Sequence, residues 1–170
     1  IKVVGSDVYV QVFESTRGLR VGAPAEFTGH MLEVQLGPGM LSKNYDGLQN
    51  DLDKMEGVFL KRGQYTEPLD KDREWDFVPL AKVGDVVEGS AWLGEVEENS
   101  QKLKIMSPFQ MEGKATVKSI VPAGKYKIHD VVAVLEKEDG SEVKVDMVQH
   151  WPVKFAMTNY KEKPRPFKLL

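Results

Sequence analysis

The sequence predicts a mainly β protein: strands of a partial N-terminal β-barrel, a short helical connector and a β domain packed as a flattened barrel or sandwich. Short β-branched runs alternate with glycine and proline turns, a pattern typical of small all-β units. Residues 83–136 also contain a degenerate repeat, in which a glycine turn, a polar turn and a β-branched strand occur twice. Neither copy is large enough to bury its apolar face alone, so we expect the two to pack on each other.

The composition is that of an average protein of one or two globular domains. The 170 residues are 41% apolar and 29% charged, with no cysteine and a net charge of −3. Without cysteine the chain has neither disulfides nor thiolate chemistry. Lysine and arginine are interspersed with aspartate and glutamate, so we expect no nucleic-acid partner. No apolar run approaches the roughly 20 residues of a membrane span, so we expect no direct membrane insertion.

Residues 1–40 predict three short strands separated by turns. Residues 7–14 are apolar on both faces of an extended chain, which is typical of a buried strand. Residues 19–21 form a second extended piece, and residues 33–36 a third that ends at Gly37-Pro38-Gly39. Three strands would leave an open sheet edge, so this region is only a piece of a barrel.

Residues 41–78 predict a connector with one short helix. Four apolar side chains recur there at helical spacing: Leu41, Tyr45, Leu48 and Leu52. Gly47 interrupts this stripe, so the predicted helix is short. A charge run at residues 70–74 is interpreted as a solvated loop. Trp75 and Phe77 follow at a spacing of two, so we expect them to anchor on a sheet face rather than form a binding cage.

Residues 79–153 predict the β domain itself. A strand at residues 104–106 is stopped by Pro108. Asp139-Gly140 is a hairpin signal, so the strands on either side of it are expected to pair. The tail that follows is broken by Pro164 and Pro166, and we interpret it as a linker. The chain starts with Ile1 rather than methionine, and we expect it to be a fragment of a longer protein.

No catalytic, nucleotide-binding or metal site is predicted within this chain. A phosphate-binding loop needs the pattern G-x-x-x-x-G-K-[ST], but neither Gly113-Lys114-Ala115 nor Gly124-Lys125-Tyr126 supplies the final Ser or Thr. Pro38 lacks the N–H that such a loop would use. The three histidines lack ligand spacing for a metal: His30, His129 and His150.

Two other sets of residues are interpreted as structural. Adjacent carboxylates at the end of an alternating strand are expected to be a solvated face rather than an acid–base pair: Glu95, Glu97 and Glu98. Trp92 and Trp151 are expected to be core or interface anchors.

Four segments of the first 50 residues carry a resemblance to a known family. They are Ser15-Thr16-Arg17-Gly18-Leu19-Arg20-Val21-Gly22, Thr28-Gly29, Val34-Gln35-Leu36-Gly37-Pro38-Gly39-Met40-Leu41 and Tyr45-Asp46-Gly47-Leu48-Gln49. These segments resemble the end of the N-terminal barrel, and the region after it, in head subunits of rotary ATPases. The catalytic A subunit of the V/A type fits best.

A second set resembles the insertion, called the bulge or non-homologous region, that distinguishes the V/A-type catalytic subunit from its F-type relatives. Its segments are Arg62-Gly63, Lys71-Asp72-Arg73-Glu74-Trp75-Asp76-Phe77, Val83-Gly84-Asp85-Val86-Val87, Lys104-Ile105-Met106-Ser107-Pro108, Gly113-Lys114-Ala115 and Met147-Val148-Gln149-His150-Trp151-Pro152-Val153. The chain departs from the family at Leu48-Gln49-Asn50-Asp51, where the family usually has Ile-Gln-Arg-Pro.

The resemblance implies a parent protein that couples ATP synthesis or hydrolysis to proton or sodium transport and binds ATP or ADP with Mg²⁺. Its phosphate-binding loop is expected beyond Leu170, so this fragment alone should be inactive. The implied partners are B subunits, alternating with the parent in a hexameric head, and peripheral-stalk subunits docked on the bulge. The implied location is cytoplasmic and peripheral to the membrane.

The resemblance also implies a division of the chain. Residues 1–40 would be the end of the N-terminal barrel, 41–78 a connector, 79–153 the bulge domain, and 154–170 a linker toward a missing nucleotide-binding domain.

An alternative function is suggested by the repeat, because its sequence pattern is also similar to that of biotinyl and lipoyl carrier domains. These domains carry a cofactor on a lysine at a hairpin tip, and Lys102 lies roughly at that position. Carriers have Met-Lys-Met or Asp-Lys-Ala there, whereas Lys102 is flanked by Gln101 and Leu103. We therefore interpret the likeness as a shared barrel-sandwich-hybrid architecture rather than shared chemistry.

Overall fold

The computed structural model describes residues 2–12, 15–27, 29, 31–57 and 63–156. His30 and residues 157–170, which are most of the predicted linker, lie outside that part of the chain. The described elements are β1 (Lys2–Val4), β2 (Asp7–Tyr9), β3 (Glu33–Leu36), a 3₁₀ helix (Leu52–Lys54), β4 (Glu74–Pro79), β5 (Val86–Val87), β6 (Trp92–Glu98), β7 (Gln101–Met106), β8 (Ala115–Ile120), β9 (Gly124–Lys127), β10 (Ala133–Lys137), β11 (Glu142–Val145) and β12 (Gln149–Pro152). The mainly β fold class is confirmed, without a closed barrel among these residues.

Eight strands form two antiparallel sheets that mirror the sequence repeat. Sheet I has the order β7-β6-β4-β9, and sheet II the order β11-β10-β8-β5. The strands therefore correspond in pairs that occupy equivalent positions in the two sheets: β4 with β8, β5 with β9, β6 with β10 and β7 with β11. The two short strands are exchanged: β5 precedes β6 in sequence but lies in sheet II, and β9 precedes β10 but lies in sheet I. The predicted repeat is confirmed, and the exchange makes each sheet depend on both halves.

The core is divided into two apolar clusters, each formed mainly by one sheet, although Leu93 of sheet I lies in the cluster of sheet II. Trp75, Phe77 and Val96 are buried in the cluster of sheet I, because alternate residues of a strand face the same side. Leu135 is fully buried in the cluster of sheet II, and Ile120 packs against both clusters. Burying a large apolar side chain contributes about 1.5–3 kcal/mol, so the clusters supply the main stabilisation of the two sheets. The predicted anchoring of Trp75 and Phe77 on a sheet face is confirmed.

A separate two-stranded sheet joins the region before the connector to the end of the β domain. Strand β3 pairs antiparallel with β12, with Val34 opposite Trp151 and Leu36 opposite Gln149. The N–H of Val153 extends the pairing by donating to the carbonyl of Leu32 at 3.1 Å. The predicted strand at residues 33–36 is therefore confirmed, and its partner comes from more than 100 residues away in sequence.

The N-terminal hairpin differs from the sequence prediction. Strands β1 and β2 pair with each other, but the strand expected over residues 7–14 ends at Tyr9. Its side chains are exposed rather than buried, as at Tyr9, Val10 and Val12. No further strand pairs with this hairpin in the part of the chain described here, so nothing covers the apolar faces that the pattern indicated.

The helix predicted in the connector is reduced to the single 3₁₀ turn at Leu52–Lys54. Asp46 breaks the helical stripe, because its carboxylate accepts hydrogen bonds from the backbone N–H groups of Leu48 and Asn50 at 2.9 and 2.8 Å. Side-chain acceptors of this kind compete with helical hydrogen bonding. Gln49 adopts a left-handed conformation with φ of 62°, which a helix does not allow. The polar residues between the apolar ones therefore decide the local structure.

Replacing Gly94 by alanine should destabilise the chain. Gly94 lies on the inner side of β6, where a Cβ atom would overlap the Phe77 ring and approach the Val78 carbonyl oxygen. Forcing extra volume into a packed core typically costs about 1–3 kcal/mol, and we expect Gly94→Ala to reach the upper end of this range in urea unfolding. Gly47→Ala is the matched control, since a Cβ there meets nothing within 4 Å. Equal stabilities of the two variants would contradict the packing described for β6.

Candidate docking surface

A β-bulge turns Trp92 outward at the start of β6. The register between β6 and β7 pairs Trp92 with Met106 and Gly94 with Ile105, which leaves Leu93 as the extra residue. Leu93 is fully buried, whereas Trp92 is 59% exposed. Bulges commonly re-aim a side chain in this way. The result is an indole on the outer face of sheet I, against the expectation that large aromatic rings are mostly buried.

Lys104 holds the exposed indole from the neighbouring strand. Its ammonium lies 5.0 Å from the centre of the Trp92 ring, within the distance at which cation–π attraction operates. The same ammonium is hydrogen-bonded to Glu95. The tryptophan therefore stands beside a lysine that is itself fixed, so little side-chain freedom remains to be lost on binding.

Glu95 links two lysines of β7 and organises the charge on this face. Its carboxylate accepts a hydrogen bond from Lys102 at 2.7 Å and a second one from Lys104. These hydrogen bonds lower the pKa of Glu95 below its usual range. The hydrogen bond to Glu95 and the carboxylate charge raise the pKa of Lys102. The Lys102 ammonium thus remains charged, and the Glu95 carboxylate remains ionised, throughout the neutral pH range.

Two aliphatic side chains extend the apolar area next to the bulge. Val78 lies opposite Glu95 in the pairing of β4 and β6, and the backbone N–H of Leu80 donates to the Leu93 carbonyl at 2.9 Å. Both side chains are exposed. We call this area, formed by Val78, Leu80, Trp92, Glu95, Lys102 and Lys104, the docking face. An aromatic anchor with apolar neighbours and a polar rim is the composition of a protein-binding surface.

Lys102, the lysine of the alternative carrier function, lies in β7 opposite Glu97. The two-residue turn at the hairpin tip is Asn99 and Ser100. The lysine is therefore two positions past the tip, and its ammonium is bonded to Glu95. Its side chain is 69% exposed, and its position differs from the hairpin tip that the carrier function would use.

The three carboxylates expected to form a solvated face do not behave alike. Glu97 is exposed, but Glu95 and Glu98 are largely buried, so the expectation is wrong for these two. Glu98 accepts a hydrogen bond from the backbone N–H of Leu41 at 3.0 Å. The sequence pattern did not reveal this contact, because the two residues are 57 positions apart.

The two described histidines form separate pairs with carboxylates. His129 lies 3.1 Å from Asp146, and His150 lies 3.1 Å from Glu33 across the pairing of β3 and β12. No group of three or more metal-ligating side chains occurs in the described part of the chain. Trp151 packs edge-on against Phe109, with ring centres 5.9 Å apart.

The glycine-lysine pairs lie in settings unlike a phosphate-binding loop. Such a loop ends at the N-terminus of a helix. Gly113 instead precedes strand β8, and Gly124 is the first residue of strand β9. Gly39 adopts a left-handed turn with φ of 102° before the connector.

A shallow cleft lies beside β12 and the loop that follows β7. Its volume is about 230 Å³, and its lining includes Phe109, Lys144, Asp146 and His150. Gln149 fixes its floor by accepting a hydrogen bond from the Phe109 N–H and donating one to the Met106 carbonyl.

The described helical segments include none long and apolar enough to cross a membrane.

Two interlocked four-stranded halves without a closed barrel define a barrel-sandwich domain. The chain belongs to the family described as the ATP synthase alpha/beta subunit barrel-sandwich domain, whose model matches residues 66–154. The model of the ATP synthase alpha/beta family β-barrel domain matches residues 1–29. These matches confirm the resemblance found from the sequence motifs.

Curated relatives agree with this assignment. The chain is similar to the V-type ATP synthase alpha chain of Borrelia garinii subsp. bavariensis, at 45% identity over 98% of this chain. It is 46% identical, over 98% of this chain, to the V-type ATP synthase alpha chain of Borrelia hermsii. It is 42% identical, over the whole of this chain, to the V-type ATP synthase alpha chain of Treponema denticola. The chain spans 29% of the length of each of these relatives.

Neutralising Glu95 should make the stability of the chain less dependent on pH. A carboxyl with a lowered pKa stabilises the fold above its ordinary pKa of about 4.3, and this contribution is lost as the pH falls through the folded-state pKa. We expect Glu95→Gln to be less stable than the wild type at pH 7, and the difference to shrink toward pH 3. Urea midpoints at both pH values measure this. Glu112→Gln, on the loop before β8, is the control. An unchanged difference at the two pH values would refute the ionic role of Glu95.

Lys102 should remain unmodified when the chain is co-expressed with a biotin or lipoate ligase. The ammonium is bonded to Glu95 and lies outside the turn, so modification would have to break this ion pair and act two positions past the hairpin tip. Intact mass followed by peptide mapping measures this. An adduct on Lys102 would restore the carrier function.

Proposed function

We propose that this chain is a non-catalytic scaffold and docking part of the catalytic A subunit of a V/A-type rotary ATPase. The full-length parent would couple ATP synthesis or hydrolysis to proton or sodium transport. The observation that carries this proposal is the 42–46% identity, over nearly the whole chain, to proteins named V-type ATP synthase alpha chain. Similarity that extends from the first strands to the end of the β domain favours a common role for the whole segment.

We propose that the parent binds ATP or ADP with Mg²⁺ outside residues 1–170. The reason is chemical: binding the β-phosphate needs converging backbone N–H groups followed by Lys and Ser or Thr, and this sequence contains no such pattern. Hydrolysis by the parent would then require residues that the relatives hold in the remaining part of their length.

We propose that the segments of the chain have different partners within the complex. Residues 1–40 would contribute to a ring in which the parent alternates with B subunits, and residues 79–153 would form the bulge. The exposed apolar side chains of β1 and β2 support the first assignment, because adjacent apolar side chains on a protein surface commonly mark an interaction site. Residues 41–78 would connect the two, and residues 154–170 would lead toward the nucleotide-binding domain. The complex would place the chain on the cytoplasmic side, peripheral to the membrane.

The bulge would bind a peripheral-stalk subunit through the docking face. A stalk resists torque, so its attachment needs an anchor that does not rearrange under load. Trp92 meets this requirement because the β-bulge in β6 fixes its backbone and Lys104 lies against its ring. Tryptophan is also among the residues most enriched in binding hot spots.

Trp92→Ala in the full-length protein should weaken binding of the purified stalk subunits. Removing a central aromatic anchor costs about 2 kcal/mol or more, which corresponds to a Kd roughly 30-fold higher. Binding would be measured by surface plasmon resonance with the assembled head. The rate of ATP hydrolysis by the head alone should not change, because the docking face is not part of a nucleotide site.

Val86→Ala is the matched control for this experiment. Val86 is also an exposed apolar residue, but it lies in β5 of sheet II. We expect it to leave the Kd within about twofold, since a substitution outside an interface leaves its contacts intact. An unchanged Kd for Trp92→Ala, or an equal loss for both variants, would rule out the docking face as the stalk site. Absence of ATP hydrolysis by the assembled head would refute the proposed parent activity.

A further inference from the structure

The tip of the β6–β7 hairpin holds the start of the connector by two polar contacts. The carboxylate of Glu98 accepts from the backbone N–H of Leu41 at 3.0 Å. The amide of Asn99 donates to the hydroxyl of Ser42 at 2.9 Å. We call these four residues the clasp. The corresponding hairpin of sheet II, between β10 and β11, carries the exposed residue Glu138 near its tip.

Ser42 in the clasp and both residues of the hairpin tip have left-handed backbone. The φ is 61° at Ser42, 48° at Asn99 and 63° at Ser100. This region is unfavourable for residues with a Cβ atom, although asparagine tolerates it better than serine does. At Asn99 and Ser100 the two-residue turn between β6 and β7 requires positive φ. At Ser42 the hydrogen bond from Asn99 helps to enforce the strain.

The connector beyond the clasp is held together by its own hydrogen bonds. The side-chain carbonyl of Asn50 accepts from the Thr66 N–H at 3.0 Å, and the Tyr45 hydroxyl donates to the Pro68 carbonyl at 2.8 Å. Asp51 is fully buried and bonded to Lys43 at 3.1 Å. We call residues 43–54 and 64–68 the connector lobe. Because these bonds lie within the lobe, it can keep its structure when its attachment to the hairpin is broken.

Glu98 is a buried acceptor whose bond partner lies in the connector. Glu98 is only 3% exposed. The free energy of a buried carboxylate depends strongly on the hydrogen-bond donors around it, because it has lost its contact with water. Burial, followed by the charges of Asp51 and Glu98, raises the pKa of Tyr45 in the connector lobe. Loss of the Leu41 donor would therefore favour a rearrangement that brings water to Glu98.

We propose that the clasp is a two-state latch, closed in this structure, whose opening releases the connector lobe from the hairpin while sheets I and II stay folded. The open state relieves the left-handed strain of Ser42 and hydrates Glu98, and the closed state keeps the hydrogen bonds to Leu41 and Ser42. The latch lies on the hairpin that also carries Lys102 and Lys104 of the docking face, at the opposite end from Trp92. It is independent of the proposed ATPase parent, since it requires only residues of this chain.

Native-state hydrogen exchange of the whole 170-residue chain tests the latch. The reporter is the Leu41 amide, and the reference is the Val132 amide, which is buried and donates to the Val145 carbonyl at 2.8 Å. We expect Leu41 to have a protection factor at least about tenfold below that of Val132, with little dependence on low urea concentrations, as local opening requires. Equal protection factors with equal urea dependence would overturn the proposal, because Leu41 would then exchange only by global unfolding.

Variants separate the latch from a general loss of stability. Ser100→Gly removes strain that the hairpin turn carries in both states and touches neither hydrogen bond, so the ratio of the Leu41 to the Val132 protection factor should stay unchanged. Glu98→Ala should lower it about tenfold, because it removes the acceptor of the Leu41 N–H, and Asn99→Ala should lower it less. Glu98→Gln keeps an acceptor oxygen and should retain more of the protection than Glu98→Ala.

Glu138→Ala, on the related hairpin of sheet II, is the matched control and should leave Leu41 unchanged. If Glu98→Ala does not fold, Glu98→Gln and Asn99→Ala still decide the question, because each changes one hydrogen bond of the clasp and Glu98→Gln keeps the size of the buried side chain. A Leu41 protection factor that is insensitive to both variants, or that changes only in parallel with Val132, would overturn the latch.

Discussion

The exchange of β5 and β9 between the two sheets is the constraint on which the rest of the structure depends. Each sheet is completed by a short edge strand from the other half of the repeat. Neither half can therefore satisfy its backbone hydrogen bonds alone, and the two apolar clusters must form together. The side chain of Ile120 also connects the two clusters, because it packs against both of them. Cooperative folding of the β domain follows from its strand order.

The same arrangement explains why two similar hairpins can have different roles. The β10–β11 hairpin closes through a turn containing Gly140, which accepts positive φ without strain. The β6–β7 hairpin uses Asn99 and Ser100 at its tip, where glycine would be more stable. The two turns also differ in length, with two residues between Glu98 and Gln101 and three between Lys137 and Ser141. The side chains of the shorter turn contact the connector. The hairpin whose turn lacks glycine is therefore the one that makes polar contacts with the connector.

The sequence was sufficient to predict the features that depend on a local residue pattern. It was not sufficient where contacts between residues distant in sequence determine the structure. The repeat, the strand at residues 33–36 and the anchoring of Phe77 followed from turn residues and alternation. The connector helix was wrong because Asp46 satisfies backbone N–H groups that a helix would have used. The outward position of Trp92 could not be predicted, since a bulge depends on register with β7. The buried state of Glu98 likewise depends on Leu41, and no local rule places those two residues together.

The pairing of β3 with β12 has a consequence for how the domain fits into a longer polypeptide. The strand that leads into the connector and the strand that ends the β domain are hydrogen-bonded neighbours, so the chain enters and leaves this unit at one place. A host protein could therefore accommodate the whole unit as an insertion in a single surface loop, without separating the host elements on either side. Gain or loss of such an insertion would change the outline of the host protein while leaving the spacing of its own core unaltered.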